Sequence, residues 1–354
     1  MMSIPAFQKS VNFKKALFLL LIFAILLVLF FASSYLSKAL QKSAADEFNR
    51  MVLDRDYRGL EKFTHRIGID KSYGLLKEKF PGNEPQGHDF AHVIGIAAYQ
   101  KEKTAGLLHC DSAYNYGCFH GYMESFVAQN GIDKIPQVEN ACISLGTLHA
   151  PSCLHGIGHG AMIDAGYVLG KALESCHLLQ NSSQTYCFDG VFMERIVQSM
   201  RSPEKKFPIT LETLDYPCSE VAYLYKSQCW RNQVTVWFSF YGGESRNSGQ
   251  RCLMVEPEFR SICLESVGLN IAMLGPRDVN FAVRGCAFIP EDIVSDECVI
   301  GVLKELMFEN KSLDVAEGLC GFVSASTRTG CQQLYGQLKN DNQMRFGATV
   351  KTPS

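Results

Sequence analysis

The sequence has no cysteine before residue 110 or after 331, no histidine after 177, and only 2 tryptophans in 354 residues. No Cys-x-x-Cys occurs, which excludes a zinc ribbon, a dithiol oxidoreductase site and covalent haem attachment. Neither sign of charge is in excess: 34 basic and 36 acidic residues leave a formal net charge of −2, so nothing electrostatic points to nucleic acid. With 47% apolar and 20% charged residues, the chain is neither disordered nor collagenous and can bury one large core or two smaller ones.

Acidic residues are also missing from positions 1–15, which carry Lys9, Lys14 and Lys15. Polar residues are missing from Ala16 to Ala32, and the apolar run extends to Leu36. At 1.5 Å per residue this is roughly 32 Å of helix, enough to span a hydrocarbon core. The expected topology is a basic cytoplasmic tail (1–15), a single-pass signal-anchor (16–36) and an exported remainder that is periplasmic, extracellular or luminal. The rival is a signal peptide cleaved near Ala32-Ser33-Ser34; both readings export the rest.

The 14 cysteines fall into neighbouring pairs: 110/118, 142/153, 176/187, 218/229, 252/263, 286/298 and 320/331. An even count at near-constant spacing in an exported chain predicts one local disulfide per unit. The second cysteine of each pair recurs after 35, 34, 42, 34, 35 and 33 residues, a period typical of two-helix repeats. The expected fold is all-α: about seven α/α hairpin units over 85–340, led in by a helical stalk (37–84) and followed by a flexible tail (341–354). In each unit helix A ends near the first cysteine and helix B opens at the second, with the first helix A beginning near Gln86. Arg201 to Pro208, rich in charge and proline, reads as an exposed loop in the 42-residue step. Asn130-Gly131, Gly166, Gly242, Gly275 and Asn310 suit left-handed ends of helix B. Gly121, Gly156, Gly190, Ser266 and Gly301 recur one residue after a fixed position, which predicts close approach of neighbouring backbones there. A glycine-rich loop at 156–160 is the alternative.

The period and the single bridge per unit resemble Sel1-like and tetratricopeptide arrays in architecture only. The signature residues of those arrays are absent, and the His-Gly-x-Gly-His element of this chain is foreign to them.

That element lies in Cys153-Leu-His155-Gly-Ile-Gly-His159, where two histidines four apart share one helix face. Alignment on the cysteines places His120, His155 and Asp189 at one position, and Glu124, His159 and Met193 one turn further on. His88 and His92 form a third pair at the same spacing. His88, His92, His120, Glu124, His155, His159 and Asp189 are therefore candidate metal ligands; Asp189 could instead cap a helix N-terminus. Imidazole with carboxylate suits a divalent ion, zinc, iron or manganese foremost, with copper also possible. Glu124, Asp89 and Glu194 are candidate proton carriers. His65, His109, His149 and His177 read as ordinary hydrogen-bonded histidines. Later repeats carry Arg231, Glu265, Ile300 and Gln333 at the aligned position, which confines the site to the first three units. Trp230, Trp237, Phe238, Phe240 and Tyr241 read as core.

Two function classes follow. One is a membrane-tethered metalloenzyme, hydrolytic or oxidative, acting on the exported side. The other is a repeat scaffold that binds a protein, peptide or glycan, with histidines that are structural. Substrate and protein partner stay unnamed.

Overall fold

Every cysteine is bridged to its neighbour in the chain: Cys110–Cys118, Cys142–Cys153, Cys176–Cys187, Cys218–Cys229, Cys252–Cys263, Cys286–Cys298 and Cys320–Cys331. Loop-closure entropy assigns a ring of this size about 3 kcal/mol, and the seven do not simply add. The structure, a computed structural model, describes residues 8–81, 85–201, 209–275, 278–288, 294–308 and 313–347. Among them all regular structure is helical, apart from an isolated bridge between Ala287 and Val294.

The helices are α1 (Gln8–Leu53), α2 (Tyr57–Ile67), α3 (Ile69–Lys79), α4 (His88–Glu102), α5 (Gly117–Asn130), α6 (Ile135–Ser144), α7 (Ala150–Asp164), α8 (Leu169–Cys176), α9 (Asn181–Arg201), α10 (Tyr223–Phe240), α11 (Ser245–Cys252), α12 (Arg260–Leu274), α13 (Val279–Gly285), α14 (Asp296–Phe308), α15 (Leu313–Leu319) and α16 (Ala325–Gly347). Short A elements thus alternate with long B helices. The disulfide in each unit ties the end of one to the first turns of the other. Two A elements are not α-helices: a 3-10 stretch Lys103–His109 serves the first unit, and consecutive turns over 211–220 serve the fourth.

The B helices cross where glycine removes the side chain. On three crossing pairs, α4/α5, α7/α9 and α12/α14, one helix offers a glycine three residues after the aligned position, and its neighbour offers one a single residue after it. A Cβ at Gly95 would lie 2.0 Å from the Cys118 carbonyl oxygen, and one at Gly121 would lie 1.8 Å from that of His92, so α4 and α5 meet backbone to backbone. Gly158 and Gly190 do the same for α7 and α9 at 2.1 and 2.0 Å, and Gly268 and Gly301 for α12 and α14, each at 1.9 Å. The recurring glycines are therefore helical contact points, and 156–160 is helix rather than loop.

This register corrects the start of the array. α4 is not the first helix A; it packs as a B helix without a disulfide. Its His92 occupies the position of His120 and His155, since its carbonyl meets Gly121 as that of His155 meets Gly190. His88 therefore lies one turn before the aligned position. At the helix ends, Gly131, Gly166 and Gly242 take positive φ of 82°, 59° and 64°. Gly275 departs from the expectation: at φ −96° and ψ 172° it is extended. Asn310, and residues 202–208 of the expected loop, lie outside the described residues. So do 348–354, while α16 carries the expected flexible tail on as helix to Gly347.

Residues 1–60 and 61–354 form two compact units. In the first, α1 runs unbroken into the expected stalk and ends at Leu53, and residues 17–31 are exposed apolar side chains. Among the described residues no helix is long and apolar enough to cross a membrane. The side chains of 16 and 32–36, which would complete the expected span, lie outside the described residues, as does the tail over 1–7. In the second unit Trp230, Trp237 and Phe238 are core, whereas Phe240 is exposed and Tyr241 half-buried.

Candidate metal centre

α5 and α7 bring His120, His155 and His159 together, with one ring nitrogen from each within 4.8 Å of the other two. All three are buried, at 4, 4 and 5% exposure, so their polar atoms must be satisfied inside the protein. His155 and His159 stand one turn apart on α7. His120, on α5, stacks on the His159 ring at 3.9 Å between centroids.

The outer nitrogens of the α7 pair are held by carboxylates. His155 Nδ1 donates to Asp189 Oδ2 at 2.9 Å, and His159 Nδ1 donates to Glu194 Oε2 at 2.9 Å. Each carboxylate is held in turn. Asn232 Nδ2 donates to Asp189 Oδ1 at 2.8 Å with Arg231 Nε at 3.9 Å, and the Tyr167 hydroxyl donates to Glu194 Oε1 at 3.1 Å. Burial alone would raise the Asp189 carboxyl; the Arg231 charge and the hydrogen bonds from His155 and Asn232 outweigh it and hold Asp189 well below the usual carboxylate range.

A carboxylate can only accept, so Nδ1 carries the proton and Nε2 carries the lone pair. The two Nε2 atoms nevertheless face each other at 3.0 Å. A shared proton does not resolve this near neutral pH, because burial pushes the His159 imidazole down to about 4 against the upward pull of Glu194. The third nitrogen is equally exceptional: His120 Nε2 is buried and makes no hydrogen bond. Burial first, then the surrounding imidazoles of His159, His88, His155 and His92, hold His120 well below its ordinary pKa. The three buried imidazoles thus place ring nitrogens within 4.8 Å of one another with no donor between them, a set that could hold a metal ion.

The remaining predicted residues take other places. Asp189 sits inside α9 rather than at its N-terminus, and its oxygens meet His155, Asn232 and Arg231. Glu194 serves His159. His92 Nε2 pairs with Glu124 Oε2 at 3.2 Å, beside the trio and half-exposed. His88 Nδ1 donates to the Tyr114 carbonyl at 2.8 Å, and its ring lies 5.3 Å from that of His120. Asp89 is exposed on the first turn of α4. The other histidines have partners of their own: His65 with Gln100, His109 with Asp70 and Glu102, His149 with Ser112, and His177 with Tyr225 and Gln184.

Sequence reasoning missed Tyr116, Tyr167 and Asn232. Asn232 follows Arg231 at the aligned position of the fourth unit, so the alignment held that signal. Tyr116 repeats in no other unit. It ends a run, Tyr114-Asn115-Tyr116, in which all three residues take positive φ (54°, 49°, 64°). Each costs an L-residue roughly 1–2 kcal/mol. The run aims the Tyr114 carbonyl at His88 and lays the Tyr116 ring 5.4 Å from His155, 6.1 Å from His120 and 5.3 Å from Phe308 of the sixth unit.

No protein-family model matches the chain, and no curated protein or solved structure matches it either. What fold and site define is an all-helical, regularly disulfide-bridged repeat protein with a buried three-histidine group that could hold a metal ion.

Proposed function

We propose that the chain is an exported, membrane-anchored metalloprotein whose ion is bound by His120, His155 and His159 through Nε2, and that it acts as a metal-dependent enzyme. The observation that carries this reading is the donor set itself: two lone-pair nitrogens 3.0 Å apart and a third, buried one without a hydrogen bond. Asp189 and Glu194 supply the outer support that metal-binding histidines require, fixing the tautomer and ring orientation. A three-histidine set leaves a coordination position open, as catalytic sites do and closed structural sites do not. An ion held there supplies Lewis acidity to a hydrolytic or oxidative reaction. Zinc, iron and copper suit an all-imidazole set best, and manganese, which prefers carboxylate, suits it less. Asp189 and Glu194 orient their histidines, which leaves Glu124 and Asp89 to carry protons. The strained turn at Tyr114–Tyr116 supports a working site, since such strain collects where chemistry needs it.

Exposure of only 4–5% at the three rings favours a second reading, an ion that only ties α5 to α7 within a binding scaffold. Azide added to the cobalt-substituted chain separates the two: a shifted visible spectrum requires an open position, and an unchanged one selects the structural ion. The metal itself is tested by elemental analysis of chelator-free protein. His155→Ala or His159→Ala should lose most of the ion while His149→Ala keeps it. Equal metal content in the three variants would remove the site. Anchoring rests on the lysine-flanked 16–36 run and the exposed apolar side chains of 17–31. Alkaline carbonate should leave the chain in the membrane pellet; release to the supernatant would contradict the anchor.

A further inference from the structure

The three-histidine group is almost closed to solvent, yet an ion must reach it after folding or during it. Beside it stands a more open pair with metal-ligand chemistry. His92 on α4 and Glu124 on α5 lie one helical turn beyond His88 and His120, so the two helices present two levels of side chains. At the inner level the His88 ring is 5.3 Å from that of His120; at the outer level His92 Nε2 is 3.2 Å from Glu124 Oε2. The His88 and His92 rings are 6.5 Å apart and link the levels. Exposure rises along the same path, from 4% at His120 to side-chain values of 28% at His92 and 39% at Glu124.

We propose that His92 and Glu124, with His88 beside them, form a second, outer divalent-cation site through which the buried group is loaded. Two ligand atoms on one tetrahedral ion with bonds of about 2.0–2.2 Å stand roughly 3.3 Å apart, close to the spacing His92 and Glu124 already keep. An imidazole and one carboxylate, with water completing the shell, bind a divalent ion less tightly than three imidazoles, which is what a transfer site requires. The repeat register makes the arrangement local to this end of the array: His92 holds the aligned position on the helix next to His120, as His120 does next to His155. In the fourth and fifth units the same positions carry Arg231 and Glu265, which pair with Asp189 and Lys304 and offer no comparable site. The alternative for His92 and Glu124 is a plain surface ion pair, worth about 0–1 kcal/mol.

The inference rests on the three-histidine reading, because it assigns the way into that group. The test is a Zn2+ titration of the full chain, stripped of metal in detergent, followed by stopped-flow measurement of inner-site filling. Wild type should show one tight and one weaker equivalent. Glu124→Gln, an isosteric change at a half-exposed position, and His92→Ala should weaken the second equivalent at least about tenfold and slow filling of the first, while leaving its final occupancy unchanged. His155→Ala should do the reverse and keep the weaker equivalent. A single equivalent that fills at the same rate in wild type, Glu124→Gln and His92→Ala overturns the outer site alone. A wild type that takes up no Zn2+ overturns both readings.

Discussion

At the scale of single residues, the site is a problem in proton placement. Asp189 and Glu194 draw the proton of each α7 histidine to Nδ1, and burial keeps a second proton off His159 until about pH 4. This has a thermodynamic consequence for the metal-free chain. Above pH 6.5, the ordinary histidine value, the ring is neutral in both folded and unfolded states and adds no pH dependence. Between about 6.5 and 4 the unfolded chain takes up a proton that the folded chain refuses, so stability falls as pH falls. At 1.36 kcal/mol per unit the loss from His159 is about 3 kcal/mol, and His120, shifted the same way, adds to it. Asp189 acts in a separate window: its folded pKa is depressed, so its contribution disappears only below the ordinary Asp range. Denaturant midpoints of chelated protein should therefore drop between pH 7 and pH 4.5, and drop less in His159→Gln. A midpoint that stays flat or rises across that interval contradicts the protonation states assigned here.

At the scale of helices, close backbone contact fixes the helices on either side of the ligand pair, α4 against α5 and α7 against α9. His155 provides both an imidazole to the trio and the carbonyl that Gly190 must clear, so the α7–α9 crossing and the site share a residue. Gly190→Ala places a Cβ 2.0 Å from that carbonyl; overpacking of this kind costs typically 1–3 kcal/mol, and here it should also displace the metal. Gly301→Ala, whose Cβ would lie 1.9 Å from the Glu265 carbonyl, should destabilise as much and leave metal content unchanged, because the α12–α14 crossing carries no ligand and meets the site at Phe308 against Tyr116, itself not a ligand. Gly170→Ala, exposed on α8 with nothing within 4 Å, should raise stability by up to about 1 kcal/mol. Thermal or denaturant unfolding together with metal analysis of the three variants checks this order. If Gly190→Ala and Gly301→Ala affected the metal equally, the link between crossing and site would be lost.

Much of this was legible in the sequence because repeats print their register. Cysteine spacing carried the disulfide pairing, and recurring small residues carried the crossings. Alignment on the cysteines placed His120 beside His155. What it did not carry was side-chain division of labour. Asp189 and His155 share an alignment position, yet one of them meets the other's Nδ1 while only the second turns a nitrogen to the trio. Nor could alignment show that α4, which lacks cysteine, is itself a B helix, so the sequence assigned His88 and His92 no register within the array. Tyr116 carries no repeat signal, since its conformation is set by a local left-handed run.

At the scale of the molecule, seven staples hold an array whose B helices each touch mainly their neighbours. With no free cysteine left, thiolate is unavailable to any ion, and the donors gathered at the site are imidazole nitrogens. The central claim, one ion on three imidazoles, is tested most directly by X-ray absorption at the edge of whatever metal the full chain retains after chelator-free purification. The account predicts a nearest shell of nitrogen or oxygen at about 2.0–2.1 Å with outer-ring scattering from three imidazoles, reduced to two in His120→Ala. An oxygen-only shell without imidazole scattering, or the same spectrum in His120→Ala as in wild type, would contradict it.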